Sequence, residues 1–386
     1  MVAVEGPPGP IWVAELEARW AAGDAVLPVD HRLPPPAVEA LYSALCPTVV
    51  TAAGSGVDYR RTTGREVEAG DAIVLATSGT TGAPKGVVLT HDAVQAAARA
   101  TSETMGVDPS TDSWLGCLPV AHAGGLGVVT RAIVTGTPLE VLPAFDARAV
   151  RVAADAMRSA GRRVLISVVA TALRRIDPSM FRVVVLGGDA PPQWPDGRPS
   201  SIVVTYGLTE SGGGCVYDGR PIPGVEVGIV GGEVVVRGPV LGRAYREAHG
   251  DRPLCDPDGW LRTGDGGSID ADGRLMVAGR IGDVIVTGGE KVWPQPVERL
   301  IRTCRGVAEV AVIGRPDPEW GERVVAVIVA GDGARPTLAE VRDAVRAELP
   351  AYAAPKAIEW VDRLPTTALG KVRRTALRVS PPTSTV

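Results

Sequence analysis

Cysteine is scarce and disordered in its spacing: Cys46, Cys117, Cys215, Cys255 and Cys304 are the five in 386 residues. No two have metal-ligand spacing, and an odd, scattered set argues against a disulfide framework, so a reducing cytoplasmic compartment is expected. A basic leader is also missing. The start, MVAVEGPPGPIWVAELEARW, has no cationic stretch followed by a long apolar one, which argues against a signal peptide. Long hydrophobic runs are absent too. The most apolar window, LGCLPVAHAGGLGVVTRAIVTG, is broken by His122, Arg131 and several glycines, so it reads as a segment lining a site instead of a membrane span. Nor is there an excess of positive charge. The 40 Lys+Arg against 44 Asp+Glu leave a net charge of −4 with His neutral, which gives no global attraction for nucleic acid or an anionic membrane. No internal repeat is visible.

The material that is present suits a globular chain. At 45% apolar residues it can bury a sizeable core, and 386 residues suggest one large domain or two or more smaller ones. Residues 11–45 read as helix, strand, proline-rich turn and helix. DAIVLATSG is a strand running into a glycine-rich loop, and Thr90 caps the alanine-rich helix that follows and closes at Gly106. FDARAVRVAADAMRSAG is a helix, and RVLISVV, FRVVVLGG and SIVVTYG are short apolar strands. Helices alternating with buried strands predict an α/β fold with largely parallel sheets. From about Pro221 the texture changes to a β-rich subdomain of glycine-punctuated strands, GVEVGIVGGEVVVRG and GRLMVAGR. A boundary is expected near Arg280–Asp283. Beyond it PQPVERLIRTC and TLAEVRDAVRAEL read as helices, the second opened by a capping box of Thr337 and Glu340, among the strands AEVAVIGR, ERVVAVIVA and KAIEWVD. That makes a small α+β unit with a disordered tail, SPPTSTV.

The stretch LATSGTTGAPKGVVLTH, Leu75 to His91, concentrates chemistry. Its glycines expose backbone N–H groups, and Thr77, Ser78, Thr80, Thr81 and Lys85 add hydroxyls and a cation, an inventory that suits phosphate. A Walker-type loop needs Gly-Lys-Ser/Thr. Here Pro84 precedes Lys85 and Gly86 follows it, so no hydroxyl is placed to hold magnesium in the Walker manner. The alternative is a surface turn, which a run this rich in donors seldom is.

TSGTTGAPKG resembles the phosphate loop of the adenylate-forming superfamily: acyl- and aryl-CoA synthetases, peptide-synthetase adenylation domains and luciferases. Five further blocks follow in the family's order: LGGDAPP, YGLTES, GWLRTGD, GRIGDVIVTGGEKVWPQPVE and LPTTALGKVRR. The resemblance implies an N-terminal AMP-binding domain over residues 1–280 and a mobile C-terminal domain over 281–386. It implies ATP contacts from Thr77, Ser78, Gly79, Thr80, Thr81, Gly82 and Lys85, from Gly187, Gly188 and Asp189 beside adenine, and from Tyr206 and Gly207. Thr209 would donate to the α-phosphate, Glu210 would hold Mg²⁺, and Asp265 with Arg280 would meet the ribose. Lys371 would be the catalytic lysine, Gly288, Gly289, Glu290 and Lys291 would line the path of the CoA thiol, and Gly282 would occupy the hinge. That position is usually Asp or Lys in the family, so a charged pivot is missing here or shifted to Asp283.

The chemistry agrees with those residue types. A carboxylate is a poor electrophile. Attack on the α-phosphate of ATP turns it into an acyl-adenylate, which a thiol can then attack, and the first step crowds negative charge that cations and donors must meet. Read singly, Glu210 could be a helix-start carboxylate, Asp265 a turn former, Tyr206 a core aromatic and Lys371 a solvated charge. As one ordered set those readings become improbable.

The short chain and the blocks LPVAHAGGLGVVTRAI, SVVATALRRI and YGLTESGGGCVYDGRPIPGV resemble the compact actinobacterial o-succinylbenzoate–CoA ligases of menaquinone biosynthesis. That resemblance implies an acid pocket drawn from His122, Gly125, Arg131, Ser167 and Gly212. A substrate with a second carboxylate needs a buried cation, and Arg131 is the candidate; the alternative is that it pairs with an internal acid or reaches the surface. His122 is equally a gate beside the pocket or a hydrogen-bonded core histidine. Other readings stay open: another small aryl or acyl acid–CoA ligase, a pathway-specific adenylating enzyme with an amine or carrier-protein acceptor, or a nucleotide-binding module without turnover, against which Glu210 and Lys371 argue together. The partners expected are a small carboxylic acid, ATP, Mg²⁺ and CoA, with no nucleic acid and no membrane insertion; a homodimer is allowed by these readings and not required by them.

Overall fold

The computed structural model describes residues 1–78, 84–188, 194, 197–365 and 372–379. The chain divides into two compact units. The first holds Met1–Gly228, Val235–Thr263 and Asp270–Leu275, and the second holds Ile229–Val234, Gly264–Ile269 and Met276–Val386.

The first unit is built on two sheets. At the centre of one, Val2–Glu5 lies parallel to Val26–Pro28 and to Val49–Ala52, and Val26–Pro28 lies parallel to Asp71–Ser78. This is the α/β core that the apolar strands predicted. Ala72, Ile73, Val74 and Leu75 are fully buried in succession, which a strand covered on both faces requires. The sheet then changes character. Asp71–Ser78 folds back antiparallel on Pro84–Thr90, which pairs antiparallel with Ala244–Glu247, and that strand with Gly250–Pro253. The strands on either side of the glycine-rich stretch therefore pair with one another, and the pair is buried towards Ile73 and Val88. Each fully buried Ile, Leu or Val there contributes about 1.5–3 kcal/mol relative to exposure, which makes the paired strands a firm element.

In the second sheet Ile202–Leu208, Val183–Leu186, Arg163–Val168, Asp112–Gly116 and Leu139–Val141 are parallel neighbours in that order, and Gly213–Tyr217 turns back antiparallel on Ile202–Leu208. The expected helices connect and cover these strands. His91–Thr104 is capped by Thr90, whose side chain accepts from Ala93 N, and Ala147–Ser159 is capped by Asp146. The window read as site-lining contains the helix Ala123–Thr135, closed by Gly136 at φ 67°. Among the described residues no helix is long and apolar enough to cross a membrane.

The glycine-punctuated segment forms strands at Glu226–Val230, Glu233–Arg237, Leu261–Ile269 and Leu275–Arg280. In the second unit Val307–Asp317 and Gly321–Ala330 form a long antiparallel pair, with Ala357–Val361 parallel to Gly321–Ala330. Pro294–Ile301 and Leu338–Arg346 bury Val297, Leu300, Ile301, Val341 and Val345 in a core shared with Ile285, Val312 and Ile328. The Thr337–Glu340 capping box forms as the sequence predicted. The tail over 380–386 lies outside the described residues.

Candidate active site

The hairpin under the glycine-rich loop sets Thr77 opposite Lys85 and Ser78 opposite Pro84, and Thr77 Oγ1 donates to Lys85 O at 3.3 Å. Gly79, Thr80, Thr81 and Gly82 lie outside the described residues. The Lys85 ammonium sits 3.7 Å from the centroid of the Tyr245 ring. The hydroxyl of that tyrosine donates to Glu210 Oε1 at 2.7 Å.

Glu210 lies in a single tight turn, Thr209–Ser211, that ends the strand Ile202–Leu208. Local chemistry explains the turn. Leu208 N donates to Ser211 Oγ at 3.1 Å, Ser211 Oγ donates to Gly213 O at 2.7 Å, and Gly212 closes it at φ 65°. Gly242 N donates to Glu210 O at 2.8 Å. A side chain at Gly207 has no room, since a Cβ would fall 2.0 Å from Gly213 O. Thr209 and Glu210 are thus fixed at the carboxyl end of a parallel strand, where open α/β sheets place their ligands. Tyr206, partly buried, precedes them on that strand opposite Val216. Gly187 and Gly188 follow the neighbouring strand Val183–Leu186, with Gly188 at φ 94°, and Asp189 lies outside the described residues. Among the described residues no group of three or more His, Cys, Asp or Glu could cage a metal ion. One carboxylate oriented by a neutral donor fits Mg²⁺ taken up together with phosphates.

The acid pocket candidates gather around the helix Ala123–Thr135. Gly125 lets its first turn close on the preceding segment, because a Cβ there would come 2.3 Å from Pro119 O. Arg131 is 5% exposed. Its guanidinium stacks over the Trp114 ring at 4.8 Å, and its buried Nη1 has no hydrogen-bond partner among the described residues. A Cβ on Gly127 would lie 3.0 Å from Arg131 Nη2 and 3.5 Å from Gly212 O, so the guanidinium fills a gap that Gly127 and Gly212 leave. Burial pushes its pKa down, with Tyr217 opposing the shift. Pairing with an internal acid was the alternative for Arg131; the structure gives it an aromatic face instead.

His122 Nε2 lies 3.3 Å from Asp30 Oδ2. The Asp30 carboxyl is held at about 2, chiefly by the hydrogen bond from the Arg32 side chain. The His122 side chain, 30% exposed, thus faces an ionised carboxylate. Ser167 is buried on Arg163–Val168, where its carbonyl faces the Cys117 thiol at 3.9 Å, a thiol pushed up to about 12 by burial.

In the second unit Asp265 is 6% exposed and lies 3.0 Å from Arg280 Nε. Gly282, in the turn Ile281–Asp283, has open space where a Cβ would point. The neighbouring Asp283 pairs with Arg374 at 3.1 Å, and Arg374 grips both oxygens of Glu298 at 2.8 and 2.9 Å. Glu298 is 2% exposed and also accepts from Val312 N at 2.8 Å. Arg374→Ala removes the bidentate partner of that buried carboxylate and leaves it Val312 N and the Arg302 guanidinium at 3.7 Å, so we expect it to destabilise the second unit by about 1.5–3 kcal/mol. Thermal unfolding checks this, with Arg374→Lys recovering part and an unchanged midpoint contradicting it. Lys371, three residues earlier, lies outside the described residues. Gly288 and Gly289, at φ 59° and 85°, make the two-residue turn joining Ile285–Thr287 to Glu290–Val292, and Glu290 and Lys291 are exposed. Trp320 covers Gly288, whose Cβ would come 2.7 Å from the indole, and the Lys356 ammonium sits 3.5 Å over that ring.

Two family models match this chain: AMP-binding enzyme over residues 52–246 and AMP-binding enzyme C-terminal domain over residues 296–371. The chain belongs to the AMP-binding enzyme family. It is 38% identical over 332 residues to the probable 2-succinylbenzoate–CoA ligase of Mycobacterium tuberculosis, covering 81% of this chain and 85% of that protein. It is 34% identical over 331 residues to the 2-succinylbenzoate–CoA ligase of Listeria monocytogenes serotype 4b, covering 80% and 69%. The fold is that of the o-succinylbenzoate CoA synthetase from Bacillus subtilis solved with its acyl-adenylate intermediate, at 24% identity, TM-score 0.81 and coverage of 99% of this chain and 88% of that one. The ATP-bound MatB of Rhodopseudomonas palustris shares the fold at 24% identity and TM-score 0.80, covering 98% and 88%.

Several residues of this AMP-binding enzyme were not legible in its sequence. Tyr245 lies in a strand remote from every motif, and only the pairing of Ala244–Glu247 with Pro84–Thr90 brings it beside Lys85 and Glu210. Asp30, Trp114 and Gly127 meet His122 and Arg131 through folding alone; only the four-residue spacing of Gly127 and Arg131 on one helix was a usable signal.

Proposed function

We propose that the chain is an ATP-dependent acid–CoA ligase that converts 2-succinylbenzoate, ATP and CoA to 2-succinylbenzoyl-CoA, AMP and pyrophosphate, a step of menaquinone synthesis. The observation that carries the choice of acid is Arg131, a buried guanidinium without an acidic partner among the described residues. Such a charge is costly unless a ligand meets it, and 2-succinylbenzoate brings a second carboxylate. The names of the relatives in Mycobacterium and Listeria support the same acid.

In this reading the loop Thr77–Lys85 holds the β- and γ-phosphates, Thr209 donates to the α-phosphate, and Glu210 holds Mg²⁺, which screens the phosphate charge when bound. Tyr206 packs on adenine beside Gly187, Gly188 and Asp189, and Asp265, steadied by Arg280, accepts from the ribose hydroxyls. Lys371 meets the attacking carboxylate and the bridging oxygen as a point charge. The succinyl carboxylate attacks the α-phosphate, pyrophosphate leaves, and the CoA thiol then attacks the acyl carbon as AMP leaves. Residues 281–386 alternate about the Gly282 turn between adenylation and thioester formation, and the Gly288–Lys291 turn guides the thiol. His122 gates the acid pocket that Gly125, Arg131, Ser167 and Gly212 help to line. The five free cysteines and the substrates support a cytoplasmic setting, and self-association into a homodimer is compatible with this chemistry.

A screen of pyrophosphate release tests the proposal, with 2-succinylbenzoate, benzoates and short fatty acids, each with and without CoA. We expect 2-succinylbenzoate to give the highest kcat/KM, with turnover that needs CoA. Release driven equally by monocarboxylates would point to another small-acid ligase.

A further inference from the structure

One neutral side chain touches two charges of the ATP site. Tyr245 is 8% exposed, and its hydroxyl donates to Glu210 Oε1 at 2.7 Å while its ring carries the Lys85 ammonium at 3.7 Å. The sheet register explains the coincidence. Tyr245 lies opposite Val87 in the antiparallel pair with Pro84–Thr90, so Lys85, two residues from Val87, falls on the same face as a diagonal neighbour. Arg252 stands opposite Tyr245 on the other side, its guanidinium 4.7 Å from the ring centroid. The turn bearing Glu210 is tied to the approach of the same strand through Gly242 N.

We propose that Tyr245 is a positioning residue for ATP and its magnesium: the hydroxyl aims the Glu210 carboxylate, and the ring aims Lys85 at the phosphates. This rests on the ATP-site reading above. The chemistry of the side chain is the argument. A lysine or arginine bonded to Glu210 would orient it but also bring a counter-charge that competes with a cation. A phenol donates one hydrogen bond and leaves the carboxylate's charge for Mg²⁺, which binds through one or two carboxylates and substrate phosphates. The ring likewise attracts the ammonium through its quadrupole and places it without adding a negative charge. A carboxylate in that place would serve neither purpose.

The test is ATP binding by calorimetry on the full chain, with excess EDTA and across a Mg²⁺ titration, and Mn²⁺ binding by electron paramagnetic resonance in the presence of ATP. Tyr245→Phe keeps the ring and removes the hydrogen bond. The expected result is a rise of about tenfold in the Mg²⁺ or Mn²⁺ concentration for half-saturation, the scale of an outer-sphere ligand contact, with metal-free ATP affinity within twofold of wild type. Tyr245→Leu removes the ring as well and should also weaken metal-free ATP binding severalfold. That extra loss should vanish in a Lys85→Met background, which a purely structural effect would not do. Wild-type metal dependence in a folded Tyr245→Phe protein overturns the role of the hydroxyl, and an undiminished Tyr245→Leu loss in the Lys85→Met background overturns the role of the ring. If the wild-type chain binds no ATP with or without metal, the ATP-site reading itself fails.

Discussion

Lys371→Ala is expected to abolish acyl-adenylate formation while a supplied acyl-adenylate is still converted to the CoA thioester. The reason lies in where charge develops. In the first half-reaction a carboxylate and a triphosphate approach one another, and a positioned cation meets the charge that gathers between them. In the second, a thiol attacks an already activated acyl carbon and AMP leaves, so that cation is not required. Loss of one such contact typically costs about 3–4 kcal/mol, or two to three decades in rate. Single-turnover assays of each half-reaction separate the two. Equal loss in both, in a protein with wild-type thermal stability, contradicts the assigned role. Arg374 lies three residues along and is bound to Glu298 and Asp283, so its substitution acts through stability and not through this split.

Arg131→Leu is expected to lower kcat/KM for 2-succinylbenzoate by ten- to hundredfold relative to an analogue lacking the second carboxylate. A charge-assisted contact in a shielded pocket is worth about 1.5–3 kcal/mol, which sets that range. The environment of Arg131 favours a full effect. Trp114 covers one face of the guanidinium, Gly127 and Gly212 leave room beside it, and Nη1 has no partner among the described residues. Arg131→Lys should recover only part, because the ammonium lacks the planar fork and stacks less well on the indole. An unchanged ratio between the two acids makes Arg131 a structural residue.

The sequence carried the fold to the extent that local rules govern it. Buried parallel strands announce themselves as apolar runs, and both Thr90 and the Thr337–Glu340 box stand where capping rules put them. The antiparallel return of Pro84–Thr90 was less legible, since a lone strand does not declare its partner's direction. The site divides in the same way. The residues proposed for phosphate and magnesium, Thr77, Lys85, Thr209 and Glu210, lie in contiguous motifs and could be named in advance as candidates. Tyr245 and Asp30 could not, because each meets the candidate residues through a contact made across the fold. Gly282 shows an intermediate case. The glycine at this position was visible, whereas the ion pair of the neighbouring Asp283 with Arg374, 91 residues away, was not.

Product stoichiometry tests the AMP-forming ligation of 2-succinylbenzoate to CoA most directly. The purified chain is incubated with ATP, Mg²⁺, 2-succinylbenzoate and CoA, and nucleotides, pyrophosphate and thioester are quantified by chromatography and mass spectrometry. One AMP and one pyrophosphate are expected for each 2-succinylbenzoyl-CoA, with acyl-adenylate retained on the protein when CoA is left out. ADP and phosphate as products, or AMP and pyrophosphate without any thioester, would contradict it.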